Sequence, residues 1–117
     1  MKNLITGGAG FIGLNLIQEL LKLKENVICI DDFSTGLKIN LKRWENNPLF
    51  KYLDHDITNP IDIKVDRVWH LACPASPYYY QKDPIKTSKI NFLGTLNALE
   101  IARKNKARIL FTSSSEI

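Results

Sequence analysis

The residues whose types and spacing point most directly to chemistry are the glycines of Thr6-Gly7-Gly8-Ala9-Gly10-Phe11-Ile12-Gly13. Gly8, Gly10 and Gly13 fit G-x-G-x-x-G, and Gly7, Gly10 and Gly13 fit G-x-x-G-x-x-G as well. In either register one glycine makes a tight strand-to-helix turn, one lets backbone approach a pyrophosphate, and one permits close helix-to-sheet packing. A helix starting at Phe11 aims its unpaired N–H groups and the positive end of its dipole at that phosphate. The dipole alone contributes about 0.3–1 kcal/mol, so hydrogen bonds and shape must supply most of the affinity. Asp31 follows at the end of the next apolar run. A carboxylate there accepts from ribose hydroxyls and repels a 2′-phosphate, which favours NAD over NADP. Asp32 beside it is either a second contact or an exposed neighbour. A lone glycine pattern is weak, but strand, loop, amphipathic helix and acid in that order point to a dinucleotide site rather than to a tight turn plus a solvated acid.

The elements that must hold these groups are legible as alternating patterns. Asn3 to Thr6 reads as a strand, and Phe11 to Leu23 as a helix with Leu14, Ile17 and Leu21 on a wide stripe. Val27 to Ile30 is a short continuous apolar run, as in a strand buried on both faces. Ser34-Thr35-Gly36 breaks the chain, and Leu37 to Trp44 forms a short helix or turn. Phe50 to Leu53 and Val65 to Leu71 read as the third and fourth strands, with Pro74 and Pro77 enforcing a loop afterwards. Ile85 to Asn105 is the longest helix, carrying Ile85, Phe92, Leu96 and Leu99 on one face, and Arg108 to Thr112 is a fifth strand. The order predicts an α/β fold, a Rossmann-type doubly wound parallel sheet truncated after the fifth strand, with residues 1–117 forming one incomplete dinucleotide-binding domain.

Composition narrows the function classes. With 44% hydrophobic and 24% charged residues the chain is ordinarily globular. The net charge of +4 is scattered from Lys2 to Arg108, which favours a solvated surface over a nucleic-acid footprint. Cys29 and Cys73 have no metal-type spacing, Cys29 lies in an apolar stretch where an inert thiol is expected, and no metal site is predicted. The N-terminal apolar run is too short and glycine-rich for a signal peptide or membrane span, so a cytoplasmic protein without a membrane partner is expected. Trp69 is expected in the core, His70 as a strand-end cap rather than a proton carrier, and His55 has no evident partner.

Thr6 to Gly13 resembles the glycine loop of extended short-chain dehydrogenases, and Asp31-Asp32-Phe33-Ser34-Thr35-Gly36 resembles the ribose loop of their nucleotide-sugar branch. His55-Asp56-Ile57 looks like the segment bordering the adenine. More narrowly, His70-Leu71-Ala72-Cys73-Pro74-Ala75-Ser76-Pro77, Tyr80, and Asp83-Pro84-Ile85-Lys86-Thr87 are similar to UDP-glucuronate decarboxylases. Asn91-Phe92-Leu93-Gly94-Thr95 and Ser113-Ser114-Ser115-Glu116 extend the likeness to the end, while Ile90 stands where that family usually has threonine.

The resemblance implies NAD as cofactor, with Gly7, Gly10, Phe11, Ile12 and Gly13 along the pyrophosphate, Asp31 and Asp32 at the ribose, and Asp56 and Ile57 at the adenine. It places Leu71, Ala72 and Tyr80 along the cofactor and Asn91 as an organiser of the site. Ser114 falls at the catalytic Ser/Thr and Glu116 near the reacting sugar. The implied reaction converts UDP-glucuronate to UDP-xylose through a 4-keto sugar, in a full-length homodimer with a UDP-sugar domain. Its base is a tyrosine in Y-x-x-x-K. That pair is expected to be missing, because it would fall beyond Ile117, and the chain alone is expected to be inactive. Alternatives are a portion of an NAD-dependent 4,6-dehydratase or 4-epimerase, or a non-catalytic nucleotide-binding module.

Overall fold

Strand β1 (Lys2–Thr6) buries four consecutive residues, Asn3, Leu4, Ile5 and Thr6, because it runs through the middle of a sheet covered on both faces. The computed structural model describes residues 1–33, 36–72 and 82–112. After β1 come α1 (Phe11–Lys22), β2 (Asn26–Asp31), a 3₁₀ segment (Lys38–Trp44), β3 (Phe50–Asp54) and β4 (Arg67–His70). A long helical stretch follows, made of α2 (Pro84–Lys89), a π turn (Ile90–Gly94) and α3 (Thr95–Asn105), and then β5 (Arg108–Phe111). All pairings are parallel and the strand order is β3-β2-β1-β4-β5. This is the Rossmann-type doubly wound arrangement expected from the sequence.

Alternation along the strands builds two cores. Ile5, Val27 and Cys29 face α1, packing with Ile17, Leu20 and Leu41. Leu4, Ile30 and Val68 face the other way, against Ala98, Ile101 and Ala102 of α3. Trp69 is partly buried against the first cluster, and its indole N–H donates to Asn3 Oδ1 at 3.0 Å. The Asn3 side-chain N–H donates in turn to Glu25 Oε1 at 2.9 Å, and Arg67 pairs with that same oxygen at 3.2 Å. These contacts fix the register of β2, β1 and β4 at their amino ends.

One expected boundary needs correction. The fourth strand is shorter than Val65 to Leu71, although Leu71 N–H still donates to Thr6 O at 3.0 Å. The face carrying Ile85, Phe92, Leu96 and Leu99 is turned to solvent, these side chains being 47–70% exposed. What meets the sheet is instead Ala98, Ile101 and Ala102. Small side chains bring the helix close to the strands, and the larger ones project outward. β5 forms an edge of the sheet, with Leu110 and Phe111 about half exposed. No helix among the described residues is long and apolar enough to cross a membrane.

Candidate functional site

Because every strand is parallel, the loops after β1, β2, β3 and β4 emerge on one side, the usual place for a ligand in such sheets. The first loop turns at Gly7, whose φ of +73° lies in the left-handed region. A methyl group on Gly7 would stand 2.9 Å from Ala72 Cα, so the loop after β1 lies directly against the segment leaving β4. A methyl on Gly13 would reach 2.5 Å from Gly8 Cα, and one on Gly8 would run into Cys29 Sγ. Gly10 differs: its nearest neighbour would be Gly7 O at 3.6 Å, with open space otherwise. Gly8 and Gly13 thus serve packing, and Gly10 is the position where a ligand can approach backbone.

Helix α1 begins there without a side-chain cap on Gly10 and without an acidic residue in its first turn. Its leading amides therefore lack the partner that an Asp or Ser cap supplies elsewhere. Phe11 and Ile12 are exposed beside them, at 84% and 64%, while Gly13 is buried. A diphosphate fits this donor set and this open approach.

Asp31 closes the far side. Its Oδ2 accepts from Ala9 N–H at 2.9 Å and its Oδ1 from Phe33 N–H at 2.7 Å. One carboxylate thereby ties the glycine loop to the turn after β2, where Phe33 adopts a φ of 60°. Burial pushes the Asp31 carboxyl above the ordinary aspartate range; the two backbone N–H groups oppose that shift, and the charges of Asp32 and Asp54 add to it. A ribose hydroxyl donating to this carboxylate would favour its ionised form. Asp32 is partly buried next to it.

After β3, Asp56 Oδ1 accepts from Thr58 N–H at 2.9 Å and from Thr58 Oγ1 at 2.8 Å. Burial alone would raise its carboxyl, but these bonds and the charges of Lys86 and His55 outweigh it and hold Asp56 below the ordinary range. Ile57 next to it is buried. His55 does have a partner, Asn59 O, 2.9 Å from Nε2.

His70 is buried at the end of β4 between two threonines, with Nδ1 2.8 Å from Thr6 Oγ1 and Nε2 3.4 Å from Thr95 Oγ1. Thr6 Oγ1 also accepts from Leu71 N–H at 3.1 Å and Ala72 N–H at 3.2 Å. Thr6 Oγ1 thus bridges His70 and the backbone leaving β4. His70 lies within that network as a buried imidazole. It joins strand ends, as the sequence led one to expect, and burial lowers its pKa.

Residues 4–117 match the family described as GDP-mannose 4,6 dehydratase. The chain belongs to that family. Among curated relatives within reach of this dehydratase-family chain, "UDP-glucuronic acid decarboxylase 3" of Arabidopsis thaliana is 51% identical over 118 residues, covering 100% of the chain and 34% of the relative. "UDP-glucuronic acid decarboxylase 1" of Xenopus tropicalis is 46% identical over 114 residues, covering 97% and 27%. The chain thus spans about a third or less of the length of these relatives. Among solved structures, a UDP-glucose 4-epimerase from Bifidobacterium longum in complex with NAD+ and UDP superposes with a TM-score of 0.83 at 28% identity, covering 98% of this chain and 37% of that one.

In this dehydratase-family chain the structure brings together Gly7, Gly10, Phe11, Ile12, Gly13, Asp31, Leu71 and Ala72 around adjoining loops, with Asp56 and Ile57 after the neighbouring strand. Asn91 lies in the π turn and is exposed. Tyr80, Ser114 and Glu116 lie outside the described residues. A Y-x-x-x-K spacing does occur in the sequence, at Tyr78 and Lys82. That pair precedes α2, whereas the family's pair is expected after the fifth strand. Sequence reasoning missed Ala9, Thr6 and Thr95 as site-building residues. Ala9 carried a signal, a small residue inside a glycine run. Among the described residues no cluster of His, Cys, Asp or Glu could hold a metal ion.

Proposed function

We propose that this chain is the NAD-binding portion of a nucleotide-sugar enzyme that converts UDP-glucuronate to UDP-xylose. The observation that carries the NAD site is the Asp31 carboxylate bonded to Ala9 N–H of the glycine loop, beside the open approach at Gly10. Gly7, Gly10, Phe11 and Ile12 line the pyrophosphate, and Gly13 packs the helix that presents them. Asp31, with Asp32 beside it, takes the adenosine ribose and disfavours a 2′-phosphate. Asp56, held ionised, accepts from the adenine amine, and Ile57 walls the base. Leu71, Ala72 and Tyr80 line the remainder, and Asn91 organises the site from the helix.

When bound, NAD supplies a hydride acceptor that makes the sugar C4 transiently a ketone, from which a β-carboxylate can leave. By the family resemblance, Ser114 would hydrogen-bond the sugar 4-hydroxyl and Glu116 would act near the reacting ring. The decarboxylase assignment is supported by 45–51% identity to UDP-glucuronic acid decarboxylases of Arabidopsis thaliana, against 23–33% to the 4-epimerases and other solved structures of the same fold. The early chemistry would be shared with 4-epimerases and 4,6-dehydratases. The exposed face of Ile85, Phe92, Leu96 and Leu99 is where a partner subunit would pack in a full-length homodimer. No nucleic acid or membrane is proposed as a partner, and a cytoplasmic location fits.

The chain by itself is proposed to be inactive, since a general base is typically worth about 10²–10⁴-fold and the family's tyrosine base is not matched here. Incubation of purified chain with NAD and UDP-glucuronate tests this. No UDP-xylose is expected, and its appearance would overturn the inactivity.

A further inference from the structure

We propose that Asn97 is a positioning residue for the adenine half of the cofactor site, an inference that rests on the NAD site proposed above. Asn97 lies on α3, yet its side-chain N–H donates to Ile57 O at 2.7 Å, across 40 residues of sequence. The π turn before α3 also lies close to Ile57, since a methyl on Gly94 would stand 3.0 Å from Ile57 Cγ2. Ile57 is only 4% exposed. The segment after β3 is therefore held from both sides. Thr58 pins the Asp56 carboxylate from within the turn, and Asn97 pins the next carbonyl from the helix.

The π turn Ile90–Gly94 makes this possible. One extra residue in a turn rotates everything after it by about 100° relative to an unbroken α-helix, and such turns are found frequently at functional sites. In the rotated register Thr95 meets His70 Nε2 and Asn97 meets Ile57 O, so a single helical irregularity reaches the loops after β3 and β4 together. Asn97 donates to a backbone carbonyl, and its influence on a ligand runs through the position of Asp56 and Ile57.

Adenine offers an exocyclic amine to an ionised Asp56, whereas hypoxanthine offers a carbonyl oxygen at that place. If Asn97 sets the position of Asp56, its loss should erode discrimination between these bases. A side chain that merely ties helix to sheet would lower stability and leave the discrimination intact. The experiment is a calorimetric titration of the chain with NAD and with nicotinamide hypoxanthine dinucleotide, comparing Asn97→Leu, which keeps volume but cannot donate, with Asn97→Gln, which keeps the donor. Asn97→Leu is expected to weaken NAD about tenfold, a difference of about 1.4 kcal/mol, while hypoxanthine-dinucleotide affinity stays within about twofold. Asn97→Gln should restore part of the ratio. Equal losses for both ligands, or a lowered melting temperature with an unchanged ratio, overturn the proposal. If Asn97→Leu loses its helical signal, the same ratio read on Asn97→Ser decides. Failure of the unmodified chain to take up NAD would instead contradict the NAD site itself.

Discussion

Thr6 Oγ1 lies 2.8 Å from His70 Nδ1 and takes two further hydrogen bonds from the amides of Leu71 and Ala72, so one hydroxyl links a buried histidine to the path of the chain leaving β4. Thr6→Val keeps the shape and removes all three bonds. It should cost about 1–3 kcal/mol, because Ala72 N–H and the buried His70 Nδ1 lose this partner, while Leu71 N–H keeps its bond to Thr6 O. Thr6→Ser should keep most of that stability. Chemical denaturation of the two variants checks the difference.

The same network makes stability sensitive to acid. Burial holds the His70 pKa below its ordinary value of 6.5, so the unfolded chain binds the proton more readily than the folded one. The contribution is fully present above pH 6.5. It is lost as the pH falls from there through the lowered folded value. Protonated His70 would direct a donor from Nδ1 at a Thr6 hydroxyl that also takes bonds from the Leu71 and Ala72 amides. Melting temperatures across that window should fall less for His70→Gln than for the unmodified chain.

Asp31 has the opposite sign. Its folded pKa is raised, so its share of folding stability is greatest below the ordinary aspartate value and is lost as the pH rises through the folded one. Ribose hydroxyls bond to the ionised form, and NAD binding should release a proton in that window. NAD affinity should weaken on acidification at a higher pH than a normal aspartate would produce. Titrations in buffers of differing ionisation enthalpy measure the release, which Asp31→Asn should abolish.

The glycines separate by role. Gly10→Ala should leave the melting temperature nearly unchanged, because its methyl meets nothing closer than 3.6 Å in a backbone conformation open to any residue. It should nevertheless weaken NAD binding by occupying the ligand's approach. Gly13→Ala should destabilise the fold by about 1–3 kcal/mol or more, since its methyl would overlap the Gly8 backbone. Circular-dichroism melts and ligand titration of both variants check the pair.

Much of this is legible in the sequence because local rules govern it. The glycine spacing, the amphipathic stripe from Leu14 to Leu21 and the acid at Asp31 are set by neighbours in the chain. What was not readable depends on partners far away. Thr6 and His70 are 64 residues apart, Asn97 and Ile57 are 40, and no spacing rule connects them. The long helix shows a further limit. Ranking by side-chain size selects Phe92 and Leu96, yet these are 70% and 51% exposed while Ala98 is fully buried. Close approach of helix to sheet favours the small residue, and the π turn shifts the register that a uniform 3.6-residue period assumes.

The most direct test is an isothermal titration of folded chain with NAD and NADP, set beside Asp31→Ala. Saturable uptake of NAD, weaker uptake of NADP, and a variant that binds NAD less tightly while losing its preference for it are the predicted results. No heat of binding from the folded chain, or an Asp31→Ala variant with the affinity and selectivity of the original, would contradict a dinucleotide held between the glycine loop and this carboxylate.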